Sequence, residues 1–266
     1  MKLSVVICGW YFKNTDIYKT LIQEAKLYKG IEASYFIASH RRYEELDRAL
    51  IRNLEKLGWR LIFFENEGWD WGAYQQFLIW HKKEKGISDY YLFMHDDVKI
   101  KNYGFIKEFM KKIQNGAKVV GNGLKRNPKT SRKLTYPEII YWSEINGFPI
   151  KSKKWKCVRG SCFFTIREIA ENILVKMPIK KGHHVGFGNW STIIFGGLIT
   201  DMYGEKSVNY IGSKETESYY INEAYRGGKS RFSLKGLICT IMRIFSIPSK
   251  RFNNRQESPS SITGLR

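Results

Sequence analysis

Apolar positions recur along the first hundred residues with two alternating periods. Leu3 to Cys8 is a largely apolar run of strand length that reads as a buried strand, and Ile17, Leu21, Ile22 and Ala25 then recur at helical spacing. Ser34 to Ala38 predicts a second strand. Leu46, Ala49, Leu50, Leu54 and Leu57 form the apolar stripe of a second helix, with Glu44, Arg48, Arg52 and Lys56 on its wet face and Gly58 as a stop. Arg60 to Phe64 predicts a strand, Ala73 to Lys83 a helix, and Tyr90 to Met94 another strand. Such alternation builds a mostly parallel sheet covered by helices, an α/β fold. Ligands of these sheets bind beyond the carboxyl ends of the strands. The loops to inspect are therefore Gly9 to Asn14, Ser39 to Arg42, Glu65 to Gly72 and His95 to Lys99.

Beyond residue 100 the alternation weakens. A helix is expected near Phe105 to Ile113, a strand near Lys118 to Gly121, and a polar loop from Leu124 to Arg132. Cys162 to Ile166 predicts a strand, Arg167 to Val175 a helix, Asn189 to Tyr203 a long helix stopped by Gly204, and Ser207 to Ile211 a closing strand. Leu234, Leu237, Ile238, Ile241, Met242 and Phe245 share one helical face over residues 233–248, and residues 249–266 read as a disordered tail. One catalytic domain is expected over residues 1–232, with a first half to about residue 120 and a second half beyond it.

Composition narrows the partners. A formal charge of +20 and a pI near 9.7 draw anions, whether nucleic acid, an anionic bilayer or a diphosphate. No stretch reaches the ~20 apolar residues of a membrane span. The short apolar run after Met1-Lys2 is not a secretory signal. The apolar face at 234–247, followed by Lys250-Arg251, suits either an anionic membrane surface or packing on the domain. The basic stretches Lys125 to Lys133 and Lys151 to Lys156 suit a diphosphate, an anionic carrier or plain solvation. Cys8, Cys157, Cys162 and Cys239 lack CxxC spacing and read as free thiols in a reducing compartment.

Two constellations carry chemistry. The strand Tyr90 to Met94 stops abruptly at His95-Asp96-Asp97. Carboxylates at a strand's carboxyl end point into the ligand crevice and suit Mg²⁺ or Mn²⁺ bridging a diphosphate, although adjacent Asp residues also cap turns. Glu65-Asn66-Glu67-Gly68-Trp69-Asp70-Trp71-Gly72-Ala73-Tyr74 links a strand to a helix. Gly68 and Gly72 permit a tight turn, and Asn66 or Asp70 can accept hydrogen bonds from a ligand. Asp70 is alternatively the N-cap of a helix starting at Gly72. Trp69 and Trp71 would flank the acid as exposed rings that need something to pack on, a sugar or base being one candidate.

Asn66-x-Gly68, Ala73 and an apolar strand ending in Asp96-Asp97 resemble the donor half of GT-A glycosyltransferases, including rhamnan-synthesis-type relatives that make bacterial surface polysaccharides. Val158 to Arg167, led by Gly160, is similar to that family's strand before the acceptor-side loop, so the likeness covers roughly residues 3–212. It implies a GT-A, Rossmann-like sandwich and transfer from a nucleotide-sugar donor to a glycan or lipid-linked acceptor. It places the enzyme in the cytoplasm or on the inner membrane face. The implied donor contacts are Cys8, Asn66, Gly68, Asp70, His95 and Asp96, with Asp97 on Mn²⁺ or Mg²⁺. His95 departs from the family's pattern by standing where a first acid is usual.

A second departure lies at Phe187-Gly188-Asn189-Trp190-Ser191, where relatives carry an acidic pair that supplies the base. His183, His184 and Asp201 are the replacement candidates, with Glu215 and Glu217 beyond the last strand. A retaining mechanism would need no such base. Outside this family, a nucleotidyl or phosphoryl transferase would suit acids beside basic loops, yet no Walker A loop is present. A nucleic-acid-binding module would suit the charge and aromatics but lacks a recognisable motif, and a binding-only sugar protein completes the alternatives.

Overall fold

The computed structural model describes residues 1–12, 15–100, 103–126, 155–177, 187–210 and 220–222. The chain divides into two units, Met1–Tyr225 and Arg226–Arg266, and the second lies outside the described residues together with the expected helix over 233–248 and the tail.

In the first unit, β1 (Lys2–Gly9) is buried along all but its first residue, as befits a central parallel strand covered on both faces. Its residues alternate between two cores. Val6 and Cys8 join a cluster on one face, and Leu3, Val5 and Ile7 join another on the opposite face. The chain continues through α1 (Asp16–Lys26), β2 (Glu32–Ser39), α2 (Arg48–Lys56), β3 (Trp59–Phe63), α3 (Trp69–Lys83) and β4 (Tyr90–His95). Strand β5 (Val98–Ile100) leads to α4 (Phe105–Gln114), β6 (Val119–Arg126), β7 (Trp155–Ile166) and a short turn α5 (Arg167–Ile169) that runs into a π-helical turn over Ala170–Leu174. Helix α6 (Phe187–Tyr203), β8 (Val208–Tyr210) and β9 (Tyr220–Asn222) follow.

The main sheet has seven strands in the order β3-β2-β1-β4-β7-β6-β8. Its pairings are parallel except at β7, which runs against β4 and β6. The mostly parallel, helix-covered sheet expected from the sequence is thus observed. From β1 the chain builds outward to β2 and β3, then returns to place β4 on the other side of β1. Strand order thus reverses between β1 and β4, and the carboxyl ends at such a reversal are where ligands of these sheets bind.

Several boundaries differ from expectation. Strand β7 begins at Trp155, seven residues before the apolar run at Cys162, because Trp155–Val158 pair with Gly123–Arg126 as an extension of the sheet. That ribbon takes in Leu124–Arg126, expected as loop, and its polar composition hid it. Helix α3 starts at Trp69, not Ala73. Gly68 caps it with φ 72°, a left-handed conformation that glycine adopts without steric cost, and Gly72 N–H donates to the Gly68 carbonyl at 3.0 Å. A Cβ at Gly72 would collide with the Glu67 carbonyl oxygen, so only glycine closes this turn. Asp70 is consequently inside the first helical turn, and its reading as the N-cap is overturned. Among the described residues, no helix is long and apolar enough to cross a membrane.

Candidate active site

Strand register brings the key loops level. Cys8 stands opposite Ala38 on one side and His95 on the other, and Ser39 lies opposite Phe63. The carboxyl ends of four neighbouring parallel strands thus form one rim, with β1 and β4 at its crevice. Beside β4, Met94 pairs with Cys162, so Gly160 continues past the end of β4 on the same rim.

At the centre is an imidazole between two carboxylates. His95 Nε2 is 2.9 Å from Asp70 Oδ2, and His95 Nδ1 is 3.5 Å from Asp97 Oδ1. A carboxylate only accepts hydrogen bonds, so Nε2 carries the proton shared with Asp70, while Nδ1 faces Asp97 at ion-pair distance. Burial by itself would lower the His95 pKa. Its bonds to Asp70 and Asp97 and the charges of both acids outweigh that and raise it to about 10.

Gly160 makes the arrangement possible. A Cβ there would run into Asp70 Oδ2 and approach Trp71 Nε1 at 3.1 Å. The Tyr74 hydroxyl donates to the Gly160 carbonyl at 2.8 Å, which ties α3 to β7 at this point. Sequence spacing suggested the glycine but not its reason, which is close approach of the Asp70 side chain from a helix distant in sequence.

Asp96 has a different task. Its Oδ2 accepts the backbone N–H groups of Trp10, Tyr11 and Phe12 at 3.0, 2.6 and 2.7 Å, and the residue is 2% exposed. Asp97 Oδ1 is buried and has no hydrogen-bond partner, its contact with His95 being too long for a good one. A buried carboxylate oxygen left over in this way fits a hard cation. Among the described residues no group of three His, Cys, Asp or Glu side chains is arranged to hold a metal. Among the described residues, Asp97 is the side chain that would offer an oxygen to such a cation, and Mg²⁺ and Mn²⁺ accept sites with few protein ligands.

The remaining expected residues separate clearly. Cys8 is a buried free thiol at the crevice floor, and burial followed by the charges of Asp70, Asp96 and Asp97 pushes its pKa well up. Asn66 bonds to His40, a buried histidine at the end of β2 that the sequence reading missed. Burial lowers the His40 pKa to about 4, against the opposing pull of Asp70 and Asn66. Gln76 Nε2 donates to the Glu65 carbonyl at 3.0 Å and lies 3.5 Å from His40 Nε2, so this group braces the loop before α3. Lone histidines in polar loops carry no periodic signal, which explains the omission.

The expected pair of exposed rings is half correct. Trp69 is 44% exposed, whereas Trp71 is 1% exposed and stacks on Phe163 at 5.3 Å within the core. Helical geometry turns the two rings to different sides once the helix includes both. Asp201 is not brought to the crevice. It lies ~21 Å along α6 from Phe187, and α6 exits through Ser207, whose carbonyl accepts from Lys118 at the start of β6. That is the opposite end of the parallel strands from His95, which closes β4 at its carboxyl end. His183 and His184 lie outside the described residues, as do Glu215 and Glu217.

No family model matches the chain, and no curated protein matches it in sequence. The fold is similar to solved structures at low identity. Core-mannan synthase A from Aspergillus fumigatus, in its Mn/GDP form, is 8% identical over 83% of this chain and 74% of its own, with a TM-score of 0.47. TarS from S. aureus is 13% identical over 83% of this chain and 60% of its own, at 0.42. Mannosyl-3-phosphoglycerate synthase from Rubrobacter xylanophilus is 10% identical over 79% and 65%, at 0.44. The chain spans less than two thirds of the length of the last two.

Proposed function

We propose that this protein is a glycosyltransferase of GT-A type that moves a sugar from a nucleotide-diphosphate sugar to a glycan or lipid-linked acceptor. The observation that carries the reading is the Asp70–His95–Asp97 cluster at the crevice between β1 and β4, where the strand order reverses. A His95 cation between two carboxylates leaves the cluster net negative, so it supports a diphosphate site through a divalent cation, to which Asp97 offers an oxygen. Mn²⁺ or Mg²⁺, when bound, would neutralise charge on the departing nucleoside diphosphate. Asp70 and Gly160 hold His95 in place, and the exposed rings of Trp10 and Trp69 stand on the same rim. The overall charge of +20 favours an anionic carrier or membrane surface, and a role in surface polysaccharide synthesis at the inner membrane face belongs to this proposal.

A thermal-shift panel of nucleoside diphosphates and nucleotide sugars, with and without Mn²⁺, tests it, because a ligand that binds only the native state raises its apparent stability. Stabilisation by at least one nucleoside diphosphate, increased by Mn²⁺, is expected, followed by release of nucleoside diphosphate on turnover. Release of pyrophosphate would instead establish a nucleotidyl transferase. Tight, salt-sensitive binding of oligonucleotides without any nucleotide response would overturn the reading.

A further inference from the structure

We infer that Asp96 acts on the donor indirectly, as a positioning residue that folds the loop after β1 and holds Trp10 open at the crevice. The inference rests on the donor-site reading above but changes the task of the middle residue of His95-Asp96-Asp97. Three successive backbone N–H groups, from Trp10, Tyr11 and Phe12, converge on a single Asp96 oxygen. Consecutive N–H groups curled in this way form a concavity that binds anions, and in phosphate-binding loops the anion is the ligand. Here a side chain 84 to 86 residues away fills it. The loop therefore cannot offer those N–H groups to a donor phosphate, and the oxygen that receives them is equally spoken for.

Two further observations show that the loop is held against its own preference. Phe12 has φ 52°, in the left-handed region that residues with a Cβ enter only at a cost. Its ring packs so closely on Gly9 that a Cβ there would meet it at 2.6 Å. The charge-assisted bonds to Asp96 are short and offset that strain. The result is a tight loop whose last residue is buried and whose first, Trp10, is 43% exposed just past the end of β1. Asp96 is itself 2% exposed, and the contacts of its Oδ2 are with this loop.

The test combines nucleotide titration with amide hydrogen exchange on the full chain. Wild type, Asp96→Asn, Trp10→Ala and the double variant are titrated with a panel of nucleoside diphosphates in Mn²⁺. Asp96→Asn and Trp10→Ala are each expected to weaken binding about tenfold, and the double variant hardly more than either, because both changes remove the same contact. Exchange at Trp10, Tyr11 and Phe12 is expected to quicken at least tenfold in Asp96→Asn, while β1 and β4 stay protected. Multiplying effects, about a hundredfold in the double variant, would show that Asp96 meets the donor itself and overturn the inference. So would unchanged exchange in the loop, or wild-type affinity in Asp96→Asn. A wild type that binds no nucleoside diphosphate, with the loop still loosened in Asp96→Asn, overturns the donor reading rather than the dependence of the loop on Asp96.

Discussion

His95 Nε2 and Asp70 Oδ2 lie 2.9 Å apart, joining the end of β4 to the first turn of α3 across 25 residues of sequence. With Asp97 on the other ring nitrogen, the imidazole is a cation pinned between two anions, and its raised pKa is a statement about stability as well as chemistry. Four expectations follow from this site and its surroundings.

Asp70→Asn keeps the shape of the side chain and removes its charge. Because the folded His95 pKa lies near 10, above the unfolded value of ~6.5, the stabilisation is fully present below pH ~6.5 and is lost as pH rises through about 10. The variant should be less stable than wild type by ~2 kcal/mol at pH 6, a figure discounted for the partial exposure of the ring. The gap should close towards pH 10. Urea unfolding of both proteins at pH 6, 8 and 10 measures it, and a gap independent of pH would refute the assignment.

The sign is opposite at His40. Burial depresses its folded pKa to about 4, so its contribution is present above pH ~6.5 and lost as pH falls towards 4. Relative to His40→Gln, wild type should lose up to ~3 kcal/mol over that interval. Denaturation midpoints for the pair at pH 7 and pH 4.5 would reveal it, since the other titrating groups are common to both.

Gly160→Ala places a methyl group against the Asp70 carboxylate. Relief requires Asp70 to leave His95 or β7 to shift, at a cost of about 1–3 kcal/mol. We expect a lower melting temperature together with weaker nucleotide-sugar binding. A variant with wild-type stability and affinity would mean that the close approach is easily relaxed.

Asp97→Ala deletes a buried carboxylate oxygen that has no hydrogen-bond partner and only a 3.5 Å ion-pair contact with His95. Loss of a metal-held transition-state charge amounts to several kcal/mol, so turnover should fall at least ~100-fold. The stabilisation by Mn²⁺ with nucleoside diphosphate should vanish, and chelation of metal should reduce wild type to the level of the variant. Full activity of wild type in EDTA would remove Asp97 from metal binding.

The first half, to about residue 120, was legible because its signals are local. The run from Tyr90 to His95-Asp96-Asp97 changes from apolar to charged where the strand leaves the core, and period-two and helical spacings mark the elements before it. Less was legible after residue 120. The ribbon from Trp155 to Val158 carries Lys156 among its apolar residues and pairs with Gly123–Arg126, half of it basic, so no continuous apolar run marks it, and the helix of α3 began four residues earlier than its periodicity because glycines at 68 and 72 shape its entry. The same early start put Trp71 in the core beside Phe163, where a loop ring had been expected.

From sequence alone came the alternation of strands and helices, the rim on which a ligand would sit, and the acidic strand end with its unusual histidine. These depend on neighbours within a few residues, where burial and chain geometry impose a period. The division of labour among His95, Asp96 and Asp97 was decided only by tertiary structure. Asp96 faces the loop after β1, while His95 stands between Asp70 and Asp97, and the bare face of Gly160 leaves room for Asp70. Those partners lie 25 to 90 residues away in the chain. Two adjacent carboxylates have the same chemistry in sequence, and they acquire different roles because successive residues project in different directions into different surroundings.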